Sequence, residues 1–277
     1  GEVDLFEALE HAKKYYFIDD SRIVVRGFSM GGAGCWQFAV HYPGVFCAAA
    51  PGAGFSETAD FLKVFQKEVV QPTWWEKKLW HVYDCTDYAL NLYNLPTVAY
   101  SGEIDSQKQA ADIMEKALAA EGMKLTHIIG PKTGHSYEKN AKEEINRRID
   151  AIALKGRDVL PEHVKFTTWT LRYNRSHWVT VDALEQHWER ARVEADIDDE
   201  NQIIKVTTKN VAALTLAMPS GRYPFAVNHK SKVIVDGTKF DAPLAEKLAL
   251  REISRQTVPE DFQRPARRGP HRAWHCK

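Results

Sequence analysis

One short stretch, IVVRGFSMGG at residues 23–32, limits the folds open to this chain more than any other. A β-branched run typical of buried parallel strands leads directly into a glycine-flanked serine, and a helical pattern follows at once. A small polar serine at that point neither fills a core nor extends a strand. Gly27-Phe28-Ser29-Met30-Gly31 fits G-x-S-x-G in the strand–turn–helix context that the pattern requires. So sharp a turn strains the backbone, and neighbouring side chains would clash. Gly27 and Gly31 are therefore expected to remove those clashes, and Gly32 to allow a closely packed helix start. Ser29 Oγ would then stand at the carboxyl end of a sheet, above a helix N-terminus. There the N–H of Met30 can donate to a developing oxyanion. The plainer alternative is a glycine-rich phosphate-binding turn. Against it, no GK[ST] follows, and GFSMGG lacks the order G-x-G-x-x-G.

The chain around this turn alternates strand and helix. Leu5, Leu9 and Ala12 repeat at helical spacing over residues 2–16, and a helix over 31–41 ends at Tyr42-Pro43-Gly44. FCAAAPGAG, PTVAYSGEID and KLTHIIG read as further short strands, SQKQAADIMEKALAAEG as a helix, and AKEEINRRIDAIALKG as a closing helix ending on Gly156. That alternation predicts a parallel sheet covered by helices over residues 1–156. Beyond Arg157–Glu162 the pattern changes to short alternating β-branched runs with DDEN, PSG and DG turns, so an antiparallel sandwich is expected over 163–250. Residues 251–277 are basic toward their end and have no apolar period, which predicts a disordered tail rather than a nucleic-acid arm.

Composition excludes several classes. Lys+Arg and Asp+Glu balance at 37 each, so no field calls for nucleic acid or an anionic membrane. No apolar run approaches the roughly 18 to 20 residues of a membrane helix. Cys35, Cys47, Cys85 and Cys276 form no CxxC pair and no zinc-spaced Cys/His cluster, and they leave the compartment open.

A serine hydroxyl is a weak nucleophile unless a base activates it, and the base needs an orienting acid. On a sheet of this kind the order should be Ser, then Asp or Glu, then His. The loop SGEID places Asp105 at a strand end, and GPKTGHSY places His135 at the next. Each has a plainer role: Asp105 as a helix cap, His135 as a surface histidine. Glu103 is the rival acid, and the loop position favours Asp105.

These residues carry a family resemblance. IDDSRIVVRGFSMGGAGCWQFAVHYPGVFCAAAPGAG, SGEID and GHSY resemble the later part of the catalytic domain of α/β-hydrolases of the prolyl oligopeptidase type and their esterase relatives. The chain is also similar to bacterial hydrolases of this type that continue into a β-rich domain. The resemblance implies Ser29 as nucleophile, His135 as general base then acid, and Asp105 as its orienting carboxylate. No cofactor or metal is implied. It further implies strands upstream of residue 1, including one beside IVVRGF and a loop giving a second oxyanion donor. The chain is thus expected to be a fragment whose uncovered edge invites self-association.

QPTWWEKKLWHVYDCTDYALNLY concentrates aromatic rings between two strands. Trp74, Trp75, Trp80 and Tyr83 are candidates for an aromatic wall that holds an acyl or aryl group, with core packing as the competing role. Trp169, Tyr173, Trp178 and Trp188 of the second unit are expected in its core rather than on a sugar-binding face. The expectation is a serine hydrolase cleaving a small ester, or a peptide. An acyltransferase and a non-catalytic glycan- or protein-binding scaffold are the alternatives.

Overall fold

The computed structural model describes residues 1–225, 231–242, 247–252 and 274–276. The chain divides into two units, Gly1–Pro161 and Glu162–Lys277.

The first unit is built on four parallel strands in the order β1 (Val24–Phe28), β2 (Ala48–Gly52), β3 (Val98–Gly102), β4 (Thr126–Gly130). The two central strands are buried along their whole length, as AAAPG and VAYSG allow: small or apolar side chains serve a strand covered on both faces. Alternation splits the sheet into two faces. Ala48, Ala50, Val98 and Tyr100 pack against Ala141, Ile145 and Ile149 of helix α5 (Lys139–Lys155). Helix α2 (Met30–His41) packs against β1 and β2, and helix α4 (Lys108–Ala120) against β3. Ala110, Ala111, Met114 and Leu118 form the buried stripe of α4. Helix α1 (Glu2–Tyr15) keeps Leu5, Leu9 and Ala12 half-buried, and its Phe6 ring lies 4.6 Å from the Tyr42 ring beyond α2. Strand β1 is the sheet's edge, with Arg26 exposed on it.

Residues 56–94 are irregular apart from a π-helical turn at Phe61–Phe65, helix α3 (Trp74–Trp80) and a 3-10 stretch at Cys85–Asn94. Thr73 and Glu76 cap α3 reciprocally, a capping box legible in TWWE. The thiols of Cys35 and Cys85 are buried and their pKa values pushed up by that burial, to about 12 for Cys35. They behave as small hydrophobes. No described helix is long and apolar enough to cross a membrane.

Among its described residues the second unit holds two five-stranded sheets. One contains β5 (His163–Thr168), β8 (Ala191–Asp198), β9 (Ile203–Lys209), β11 (Ser231–Val235) and β12 (Thr238–Ala242). The other contains β6 (Arg175–Ser176), β7 (Val179–Leu184), β10 (Val211–Ala217), β13 (Lys247–Glu252) and β14 (Trp274–Cys276). Along β8, Ala191, Val193, Ala195 and Ile197 are buried in strict alternation. Two details depart from expectation. The sheets are not purely antiparallel, because β9 and β11 pair in parallel. The chain leaves that sheet for β10 in the other one and returns in the same direction. The tail also contributes residues 251, 252 and 274–276 to paired strands, and 253–273 fall outside the described residues. Tyr173 and Trp178 are core residues, whereas Trp169 and Trp188 are half-buried.

Candidate active site

Ser29 stands between the end of β1 and the first residue of α2, with φ 58° and ψ −121°. A non-glycine residue in such a conformation stores roughly 1–3 kcal/mol of strain, which the surrounding structure must hold in place. It does so through the backbone: Ser29 N–H donates to Gly52 O at 2.9 Å, and Ser29 O accepts from Ala33 N–H at 3.0 Å. The glycines divide the work differently from expectation. A Cβ on Gly27 would stand 2.1 Å from Gly31 O, and one on Gly32 would stand 2.1 Å from Gly52 O. Gly31 itself has open space where a side chain would go. It is Gly31's backbone, not its missing side chain, that makes Gly27 necessary.

From this elbow a row of hydrogen bonds runs across three strand ends. His135 Nε2 lies 2.8 Å from Ser29 Oγ, and His135 Nδ1 lies 2.9 Å from Asp105 Oδ2. The Asp105 side chain is 2% exposed, whereas that of His135 is 40% exposed. The buried carboxylate thus fixes a ring that still reaches solvent. Its Oδ1 also accepts from Gln107 N–H at 2.9 Å, in the turn before α4, so both carboxylate oxygens have partners. Glu103, the rival acid, points elsewhere: its Oε2 accepts from Lys132 N–H at 2.6 Å. Ile104 N–H also donates to Thr133 O at 3.1 Å, so the acid loop is laced to the loop that leads to His135.

Three residues around His135 were not foreseen. Phe28 packs beside the ring and Tyr137 packs on Phe28: the Phe28 centroid is 5.0 Å from His135's and 4.7 Å from Tyr137's. Tyr100 donates its hydroxyl to Ser136 O at 2.8 Å and accepts from Glu138 N–H at 2.9 Å, pinning the backbone on the far side of His135. Burial raises the phenol pKa of Tyr100 and of Tyr137, so both stay neutral. The signal for Tyr100 lay in its place on a strand that ends in the acid loop. Its reach to Ser136 and Glu138 depends on how β3 packs beside the His135 loop.

The N–H of Met30 opens α2 and, as a first-turn amide, has no partner within the helix. The aromatic candidates separate into two sets. Tyr83 stacks with Phe55 at 6.2 Å, and Phe55 with Phe61 at 4.3 Å; Phe55 follows Gly54, which abuts the Ser29 carbonyl. Trp74 and Trp75 instead project from α3, exposed at 74% and 49%, and Trp80 is half-buried. Core packing does not account for Trp74 or Trp75.

A parallel sheet whose first, third and fourth strands lead into a strained serine, a buried aspartate and a histidine is that of a serine hydrolase of the α/β-hydrolase type. The chain belongs to the prolyl oligopeptidase family, whose profile matches residues 3–153. Among solved structures it is similar to dipeptidyl peptidase 4 of Porphyromonas gingivalis, at 18% identity and TM-score 0.44, covering 55% of this chain and 22% of that one. A puromycin-hydrolyzing peptidase of Mycobacterium tuberculosis matches at 18% and 0.44, over 55% of this chain and 24% of that one. An S-formylglutathione hydrolase of Agrobacterium tumefaciens matches at 20% and 0.42, over 53% and 54%. The chain therefore spans about a quarter of the two peptidases and about half of the hydrolase. Among curated protein sequences none matches it.

Proposed function

We propose that the chain hydrolyses a carboxylic ester through Ser29, His135 and Asp105. One observation carries this reading: the 2.8 Å and 2.9 Å contacts that link the three side chains through a single imidazole. Asp105 accepts the Nδ1–H of His135, which leaves the Nε2 lone pair facing Ser29. Ser29 Oγ attacks the ester carbonyl carbon as its proton passes to Nε2, and the imidazolium is stabilised by Asp105. The N–H of Met30 donates to the oxyanion. Collapse breaks the bond to the alcohol, which departs with the proton from Nε2. Water then attacks the acyl-enzyme, its proton passes to His135, and the acid leaves with Ser29 restored.

Esters are preferred because alcohols leave more readily than amines. Family membership favours peptide bonds as the second substrate class. Tyr83, with Phe55 and Phe61, supplies an apolar wall beside the elbow, and Trp74 and Trp75 offer exposed indoles for an aryl or alkyl group. Turnover of p-nitrophenyl acetate, butyrate and hydroxycinnamate esters beside aminoacyl-prolyl anilides tests the assignment. Ester turnover abolished by Ser29→Ala is the expected result; anilide turnover without ester turnover would reverse the ranking.

A further inference from the structure

Away from Ser29, helix α4 and strand β4 bring three metal-ligating side chains together. Asp112 and Glu115 are three residues apart on α4 and so lie on neighbouring positions of its surface. His127 comes from β4, paired with Ala99 of β3. One ligating atom from each of the three lies within 4.8 Å of the other two. His127 Nδ1 is 3.9 Å from Asp112 Oδ1 and 3.9 Å from Glu115 Oε2, too far to hydrogen-bond with either.

The imidazole is held from its other side. Its Nε2 lies 3.0 Å from Ser101 Oγ, and Ser101 is fully buried on β3. The His127 side chain is only 7% exposed. A buried ring whose inner nitrogen bonds a fixed hydroxyl, and whose outer nitrogen points unbonded between two carboxylates, is oriented as metal-ligating histidines are. With Nε2–H donated to Ser101, Nδ1 carries a lone pair. Burial favours the neutral ring in which that lone pair is available.

We propose that Asp112, Glu115 and His127 bind a divalent transition cation of the zinc class, with water completing the coordination. One imidazole nitrogen and two carboxylate oxygens suit zinc, whose tetrahedral bonds of about 2.1 Å set ligand atoms roughly 3.4 Å apart. Closing from separations of up to 4.8 Å takes rotations of the exposed Glu115 and half-exposed Asp112 side chains. Lys108 holds the place of the cation's charge: its Nζ lies 2.6 and 2.8 Å from the two Asp112 oxygens. A long surface amine four residues back along the helix can swing into water when a dication takes Asp112. The cation would fasten α4, which begins just after Asp105, onto β4. Its existence does not depend on the hydrolase assignment.

The test uses the full chain, stripped with a chelator and titrated with Zn²⁺ against a chromophoric chelator, with Co²⁺ absorption reporting coordination geometry. The expected result is one strong site that Asp112→Asn and Glu115→Gln each weaken at least tenfold, on the order of what disturbing a ligand's support already costs. Lys108→Met, which removes the competing charge, should tighten it severalfold. Glu115 is exposed, so Glu115→Gln keeps the fold. Zn²⁺ affinity unchanged in both carboxylate variants would place the metal on other histidines and overturn the proposal. So would the absence of stoichiometric binding by the unaltered chain.

Discussion

His135 Nε2 lies 2.8 Å from Ser29 Oγ although 106 residues separate them in sequence. Each residue is also held from elsewhere. Ser29 is fixed by the turn between β1 and α2, and His135 by a loop tied to Ile104, Asp105 and Tyr100. Each tie makes a prediction.

Gly27 and Gly31 should respond oppositely to alanine. A Cβ at Gly27 meets the Gly31 backbone at 2.1 Å, so Gly27→Ala should cost roughly 2 kcal/mol or more and displace Ser29. Gly31 lies in the first turn of α2 with room around it, so Gly31→Ala should leave stability unchanged or raise it by up to about 1 kcal/mol. Thermal melts of the two variants check this. Equal losses would contradict the unequal roles.

Tyr100→Phe removes the hydroxyl that both donates to Ser136 O and accepts from Glu138 N–H. The His135 loop loses its anchor while the ring's own partners stay. Turnover should fall about tenfold with little change in KM, because a group positioned about 1 Å off costs rate rather than binding. A changed KM with unchanged kcat would mean that Tyr100 acts on substrate instead.

Asp84 gives a pH signature. Its carboxyl accepts from Thr58 N–H and Oγ1, and burial pushes its pKa up to about 6 from 3.8. The folded state therefore holds the proton more tightly than the unfolded chain does. The neutral acid is comfortable below the unfolded value, and stability is lost as pH rises from about 4 through about 6. Asp84→Asn should remove that loss. Relative to the unaltered chain, the variant should gain on the order of 2 kcal/mol between pH 4 and pH 7. Melts at both pH values decide it, and a constant difference between the two proteins would contradict the burial argument.

Much of this was legible before any coordinates. The strand-elbow-helix at 23–41 and the loops carrying Asp105 and His135 follow from local patterns: β-branched runs, glycine punctuation and strand–loop–helix order. The residues that escaped notice act across strands. Tyr100 reads as one more core aromatic until its hydroxyl is seen to reach Ser136, and Phe28 is merely the variable position of G-x-S-x-G. Asp112, Glu115 and His127 escaped because their nearness depends on how α4 packs beside β4, which spacing does not encode. The parallel pairing of β9 with β11 escaped for the same reason: no local pattern says which sheet β10 joins.

The central claim is that Ser29 is a nucleophile activated by His135. The most direct measurement is labelling of the 277-residue chain with a fluorophosphonate, the adduct located by peptide mass. The account predicts one adduct, on Ser29, absent from Ser29→Ala and slowed at least a hundredfold in His135→Ala, in line with the usual worth of a general base. Labelling of His135→Ala at the unaltered rate would contradict it.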